Sequence, residues 1–361
     1  RKKEVNPIAG FFARLVMSVR NVSATYTLTD GTLLPGYNQE TSVLGFNPGF
    51  NPGMGGFIFG QQRYDLWGNE TGYNVAEVAR DNNWLVRNEE LNQQYVNSHT
   101  KNLNLRATLE PIKDLSVELS ITRTFSSNTS EFFRWNETTT QFESQSSIEM
   151  STVTYSNISV GSAFTALGGQ FQSSVFDRLL KNRADVSTLL GEANGNSVPN
   201  SSDYFSGYGE SQQEVVLGAF LTSYADRKVS KKNITPSQNL PLPNWSINYN
   251  GLKDFKFMKK HLRNFVIRHA YSSTISVAGM QSNLNAEFDL NGDASARDLN
   301  NNFIAELQIQ NVVISERFSP LIGLDATWLI KGQSLTTKFE YKRDKNSSLS
   351  LNNNQVTEVL G

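Results

Sequence analysis

Cysteine is absent from the 361 residues, which excludes a disulfide framework, a thiolate metal site and a cysteine nucleophile together. Long apolar runs are absent too, and no stretch approaches the ~18 residues of a transmembrane helix. The opening RKKEVNPIAGFFARLVMSVR fails as a signal peptide because Asn6, Pro7 and Arg14 interrupt its apolar patch and no small-residue cleavage site follows. The chain is expected to begin inside a longer polypeptide. Charge is scarce: Asp, Glu, Lys and Arg make up 19% of the chain, against roughly 25% in average soluble proteins. A net charge of −1 gives no bulk attraction for nucleic acid.

Catalytic signatures are equally thin. The three histidines are His99, His261 and His269. If the last two share a strand, eight residues at ~3.3 Å each hold them about 27 Å apart, too far for one metal. The glycines at 53–60 lack the Lys and Ser/Thr of a phosphate loop, and no G-x-S-x-G or H-E-x-x-H element occurs. Asp289-Leu-Asn-Gly-Asp293 invites a calcium-loop reading, but the required glycine is Ala294 and the bidentate Glu is Asn300. Asn291-Gly292 reads better as a hairpin turn. No catalytic, cofactor-binding or metal residue is assigned, and no enzyme or cofactor is expected.

What fills the space is alternation. Across 318–330, Phe318, Ile322, Leu324, Ala326, Trp328 and Ile330 share one parity, with Ser319, Gly323, Asp325 and Thr327 on the other. Leu335, Thr337, Phe339 and Tyr341 then oppose Ser334, Thr336, Lys338, Glu340 and Lys342. A period of two gives each set its own face of a strand, and each segment is long enough for the roughly 9–11 residues that cross a bilayer as a tilted strand. Trp328 and Tyr341 stand where an aromatic girdle would lie. Leu103–Leu109 and Leu115–Ile121 alternate likewise around the short link Glu110–Asp114, a hairpin suited to the periplasmic side of a barrel. Leu15–Leu28 switches parity midway, which predicts a bulge. Further strands are expected near 150–160, 244–250, 264–278, 283–290 and 303–315.

Between the strands lie long loops, uncommon in compact soluble domains but ordinary outside a membrane barrel. Residues 31–100 read as a Gly/Pro-rich and polar insertion, in which 45–60 (GFNPGFNPGMGGFIFG) cannot be regular structure. Residues 126–240 read as a long loop region with a helix at about 174–190. Ser174 and Asp177 suggest a capping box for that helix, and Gly191 its stop. A weaker helix is expected near 213–224. The cations Lys253, Lys256, Lys259, Lys260, His261, Arg263 and Arg268 alternate with Phe255, Phe257 and Leu262. This pattern suits a turn at a membrane edge better than nucleic-acid binding.

Several of these stretches resemble the C-terminal part of the SprA/Sov family, the outer-membrane translocon of the bacterial type IX secretion system. They are LLPG with Pro35 and Gly36, GFIFGQQ at 56–62, and LNLRATLEPIKDLSVELSITRTF at 103–125 followed by SEFF at 130–133. Three more follow in the family's order: NLPLPNWSINYNGL with Pro241, Pro243, Asn244 and Trp245, FVIRHAYSSTISV at 265–277, and ISERFSPLIGLDATW with Pro320. The likeness is weakest over 134–240. Full members of the family are several times longer.

The resemblance implies an all-β chain, a segment of a very large transmembrane antiparallel β-barrel in the outer membrane, whose missing strands come from the rest of the same barrel. It implies a channel for folded cargo proteins carrying a C-terminal signal domain. The implied partners are a PorV-type shuttle barrel, a periplasmic plug and, indirectly, an inner-membrane motor. On this reading Ile322, Leu324, Ala326 and Trp328 face lipid, and Ser334, Thr336, Lys338 and Glu340 line the lumen. The stretch 45–60 and the helix at 174–190 would fold inward to narrow it. The rivals are a nutrient-import receptor barrel and a soluble β-rich adhesin.

Overall fold

The computed structural model describes residues 17–40, 72–164, 173–200 and 203–361. The repeat at 45–60 and the GFIFGQQ stretch lie outside the described residues. Ten strands form one antiparallel sheet: β1 (Val19–Leu33), β2 (Tyr95–Leu109), β3 (Leu115–Asn136), β4 (Gln141–Ser156), β5 (Asn244–Tyr249), β6 (Leu262–Ser282), β7 (Leu307–Gln308), β8 (Asn311–Ile330), β9 (Gln333–Ser350) and β10 (Gln355–Leu360). The spatial order is β1-β2-β3-β4-β6-β8-β9-β10. The architecture is predominantly β, with strands more extensive than the alternation alone indicates.

The two hairpins read from alternation are present. β2 and β3 pair through Glu110–Asp114, and β8 and β9 pair through Lys331–Gly332. Both turn residues there have positive φ, 47° and 84°, as a two-residue turn matched to strand twist requires. The parity switch in β1 is a register shift between Val19 and Asn21.

Three expectations are corrected. Residues 126–149 are not loop: β3 runs to Asn136 and β4 starts at Gln141, joined by a tight turn, and β4 continues to Ser156 through the strand expected near 150–160. Residues 283–306 form no strand; two successive loops are closed by Asp289 and Asp298, each accepting backbone N–H groups two and four residues on. The first insertion spans 34–94 and contains the helix α1 (Val75–Asp81), capped by Asn74.

The most consequential feature is a broken strand. β4 pairs with the far half of β3 and β5 with its near half, both antiparallel. Tyr155 stands opposite Arg123 and Asn244 opposite Ser120, so β5 resumes the line that β4 leaves. β6 covers both pieces on the other side. Residues 157–243 are therefore an excursion from the middle of a strand, and Leu242 N–H donates to Ser156 O (2.9 Å) where it returns.

Two helices organise the excursion, α2 (Ser174–Ala193) and α3 (Gln213–Tyr224). α3 is buried on every side from Val215 onward, the condition of a helix that is apolar all round. It joins Val153, Tyr155, Ile275, Val277, Val312, Ile314 and Leu349 in the main core. α2 differs in detail from expectation. Its N-cap is Ser173, without a side-chain bond, and it runs to Ala193. Gly191 is not the stop; a Cβ there would collide with the Phe205 ring.

Candidate functional site

The register lines of the sheet carry the functional information, because residues directly opposed across antiparallel strands share a face. One line crosses five strands as Leu115–Tyr249–Ile267–Leu324–Phe339. The adjacent line, pointing the other way, is Ser116–Asn248–Arg268–Gly323–Glu340. Near the short turns the sheet thus has one apolar and one polar face. Ile322, Leu324, Ala326 and Trp328 lie on the apolar face, opposite Tyr341, Phe339, Thr337 and Leu335. Ser334, Thr336, Lys338 and Glu340 lie on the polar face.

The apolar face extends to β2 and β1 through Leu105 and Ala107, which oppose Ala24 and Val22. It spans about seven residues per strand, ~23 Å at ~3.3 Å each, close to the ~25 Å apolar band of outer-membrane barrels. Among the described residues its β8–β9 part is largely uncovered: Ile322 is 51% exposed, Leu335 53%, Phe339 58% and Tyr341 52%.

The polar face is organised by charge. Arg268 Nη2 donates to Asp325 Oδ1 (3.0 Å) and to Glu340 Oε1 (2.6 Å), and Lys338 and Lys342 flank Glu340 at 3.1 and 3.5 Å. Arg268 therefore does not belong to the basic cluster at 253–263; it is the centre of a cross-strand ladder. Sequence reasoning missed this ladder because its members come from three strands. The available signal was that Asp325, Lys338, Glu340 and Lys342 all occupy the polar parity.

Farther from the short turns, the same alternation serves the helices. Phe125–Val153–Val277–Val312–Leu349–Val356 form one line beneath α3. Thr124–Thr154–Ser276–Val313–Ser348–Thr357 form the line on the reverse. Phe125 and Leu115, Val277 and Ile267, and Leu349 and Phe339 are each ten residues apart on their strands, an even number, so the helices cover the apolar face. The expectation that the helix at 174–190 folds toward the Ser334–Glu340 side is overturned. The break between β4 and β5 opens to the apolar side, and the apolar row of the far half recruits helices as its cover.

The two halves meet at an aromatic seam, where the most distinctive motifs converge. Trp245 stacks on Tyr271 (centroids 4.4 Å), and Tyr271 contacts Phe318 at 4.8 Å. Tyr271 Oη donates to Glu316 Oε1 (2.6 Å) and accepts from Ser159 N–H (2.7 Å). Pro241 and Pro243 precede β5 at the re-entry point, and Asn244 Oδ1 accepts from Ser273 N–H (2.8 Å). Pro320 lies where β8 advances four residues, Phe318 to Ile322, while β9 advances two. Gly323 has no Cβ because Pro320 and Arg268 occupy that space. Pro35 is buried, and Gly36 turns the chain at the end of β1 with φ 73°.

The histidines do not converge. His99 pairs with Asp30 across β1 and β2, and His269 contacts the Leu321 carbonyl. Among the described residues no group of carboxylates and histidines could hold a metal ion. No helix among them is long and apolar enough to cross a membrane, which says nothing about strands. No protein-family model matches the chain, and no curated protein matches it in sequence.

Proposed function

We propose that the chain is a section of the wall of a large transmembrane β-barrel in the bacterial outer membrane, working as part of a protein-conducting channel. One observation carries the membrane reading: the paired register lines Leu115–Tyr249–Ile267–Leu324–Phe339 and Ser116–Asn248–Arg268–Gly323–Glu340. Hydrocarbon meets the first and water the second. Short connections join β2 to β3 and β8 to β9 at the band end, and the insertions 34–94 and 283–306 leave the far end, beside the tight β3–β4 and β9–β10 turns. Outer-membrane barrels likewise confine their long loops to one side. The strands of 18–22 residues in β3, β6, β8 and β9 are about twice the ~9–11 needed to cross. The far half would therefore stand clear of the bilayer, its apolar row covered by α2 and α3.

Completion by further strands follows from the edges. β10 pairs only with Lys345–Ser350 of β9, so among the described residues Gln333–Arg343 presents an open edge, as does β1. Exposed edges of this length need partners, which the rest of the same barrel supplies. The transported substrate class comes from the SprA/Sov resemblance: folded proteins with a C-terminal signal domain, received by a PorV-type shuttle, with a periplasmic plug and an inner-membrane motor giving direction. Conduction is passive and needs no catalytic group.

Fractionation tests the first claim. The protein should remain with outer membranes through high salt and leave only in detergent; release into buffer would favour the adhesin. Deletion of its gene tests the second. Loss of many surface-exposed secreted proteins is expected, whereas loss of uptake of one nutrient would identify an import receptor.

A further inference from the structure

The basic cluster is not used by the conduction reading. We propose that the short-turn rim of the apolar face binds the anionic headgroups of glycerophospholipids in the adjoining leaflet, an inference that rests on the membrane reading. Lys253 lies in the 3-10 turn Gly251–Asp254, Lys256, Lys259 and Lys260 in α4 (Lys256–His261), and Arg263 at the start of β6. Lys331 in the β8–β9 turn and Lys113 in the β2–β3 link reach the same end of the sheet.

Carboxylates at this rim are few and already engaged. Asp254 takes Lys113 (3.5 Å) and Lys259 (3.7 Å), Asp114 takes Lys113 (3.7 Å), and Glu110 takes Arg20 (2.9 Å). Lys253, Lys256, Lys260, Arg263 and Lys331 have no carboxylate partner among the described residues.

The rim joins the apolar band without a gap. α4 leads directly into β6, whose Leu262 opposes Trp328 and whose Phe265 opposes Ala326. Phe255 and Ile112, 60% and 58% exposed, add apolar side chains among the cations. Lysine and arginine stems lie along apolar surface while their heads seek phosphate. A polybasic patch bordering hydrocarbon matches a phospholipid surface on both counts. An acidic peptide or a polynucleotide would match only the charge.

The test uses the whole barrel containing this chain, extracted from outer membranes into mixed micelles carrying either phosphatidylglycerol or phosphatidylcholine, with retained lipid counted by native mass spectrometry. Phosphatidylglycerol should be retained preferentially, and each cation removed should lower that preference roughly fivefold. Combining Lys256→Gln, Lys259→Gln, Lys260→Gln and Arg263→Gln should abolish it. Lys338→Gln with Lys342→Gln, on the polar face, should leave it intact. Displacement of the lipid by inorganic phosphate or polyglutamate would overturn the proposal, as would equal loss in both variants. A protein that stays with the membrane until detergent is added but shows no headgroup preference defeats only this inference. A protein that leaves the membrane in buffer without detergent defeats the membrane reading itself.

Discussion

Lys345 lies on a strand yet is almost fully buried, with its ammonium 3.2 Å from Glu358 Oε2 and donating to the Ser162 carbonyl at 3.1 Å. Glu358 also accepts from Tyr224 Oη (2.7 Å). The pair thus ties β9 and β10 to the end of α3 and to the first residues of the excursion. Removing one partner leaves a buried charge, so Lys345→Met should cost about 3–5 kcal/mol, and adding Glu358→Leu should recover most of it. Denaturant titration of the three proteins checks this, and equal loss in single and double variants would deny the latch. Glu214, at the start of α3, titrates in the opposite sense to a paired carboxylate. Burial, the largest cause, pushes its pKa up, helped by Glu306 and opposed by the Gln212 amide. The folded chain then keeps a proton that the unfolded chain has released. Stability therefore falls as pH rises from the ordinary Glu value through the raised one, and is flat above it. Amide exchange in α3, corrected for intrinsic rate, should be faster near about pH 8 than near about pH 5. Glu214→Gln should remove that difference; an unchanged slope would assign it to another group.

At the level of elements, α3 is the piece on which the far half of the sheet depends. Phe220 is fully buried and stacks on Tyr224 at 4.7 Å. Gly218 lets α2 approach, since a Cβ there would press on Val186 and Ile234. Phe220→Ala should cost about 3–5 kcal/mol, loosening the excursion while the β8–β9 hairpin near Lys331–Gly332 keeps its exchange protection. The near half should respond to a different chemistry. Leu324→Arg should impair insertion into lipid by roughly 2–4 kcal/mol, with Thr336→Arg on the other face close to neutral. Reversible folding into vesicles measures both, and equal penalties would contradict the two-faced wall. These elements also mark what the sequence made legible. Alternation was plain in β2, β8 and β9 because their near halves set Leu, Ile, Phe and Trp against Ser, Thr and Lys. It failed for 126–149 because the far half of β3 sets Ser127, Thr129 and Glu131 against Ser126, Asn128 and Ser130, polar on both faces. The break between β4 and β5 joins residues far apart in sequence, and no local period encodes it. LPLPNW was visible as a motif, but its meaning as a re-entry point exists only once Tyr271 and Phe318 are beside Trp245.

For the whole molecule, the question is which solvent meets each face, and the lack of cysteine makes it directly measurable. Single cysteines along β9 can be challenged with a membrane-impermeant maleimide in intact vesicles and again in detergent-free buffer. At Ser334, Thr336, Lys338 and Glu340 labelling should be fast in an open channel, because water lies on that side. At Leu335, Phe339 and Tyr341 it should be slow in lipid, although more than half of each side chain is exposed in the folded chain. Beyond the seam the odd positions Ser347 and Leu349 should stay protected for another reason, the helices above them. Loosening the excursion with Phe220→Ala should therefore speed labelling at Ser347 and Leu349 and leave Leu335 and Phe339 unchanged. That split separates a wall covered by two media, hydrocarbon below and protein above, from a soluble sheet. In a soluble adhesin, Leu335 and Phe339 would label as readily as Lys338.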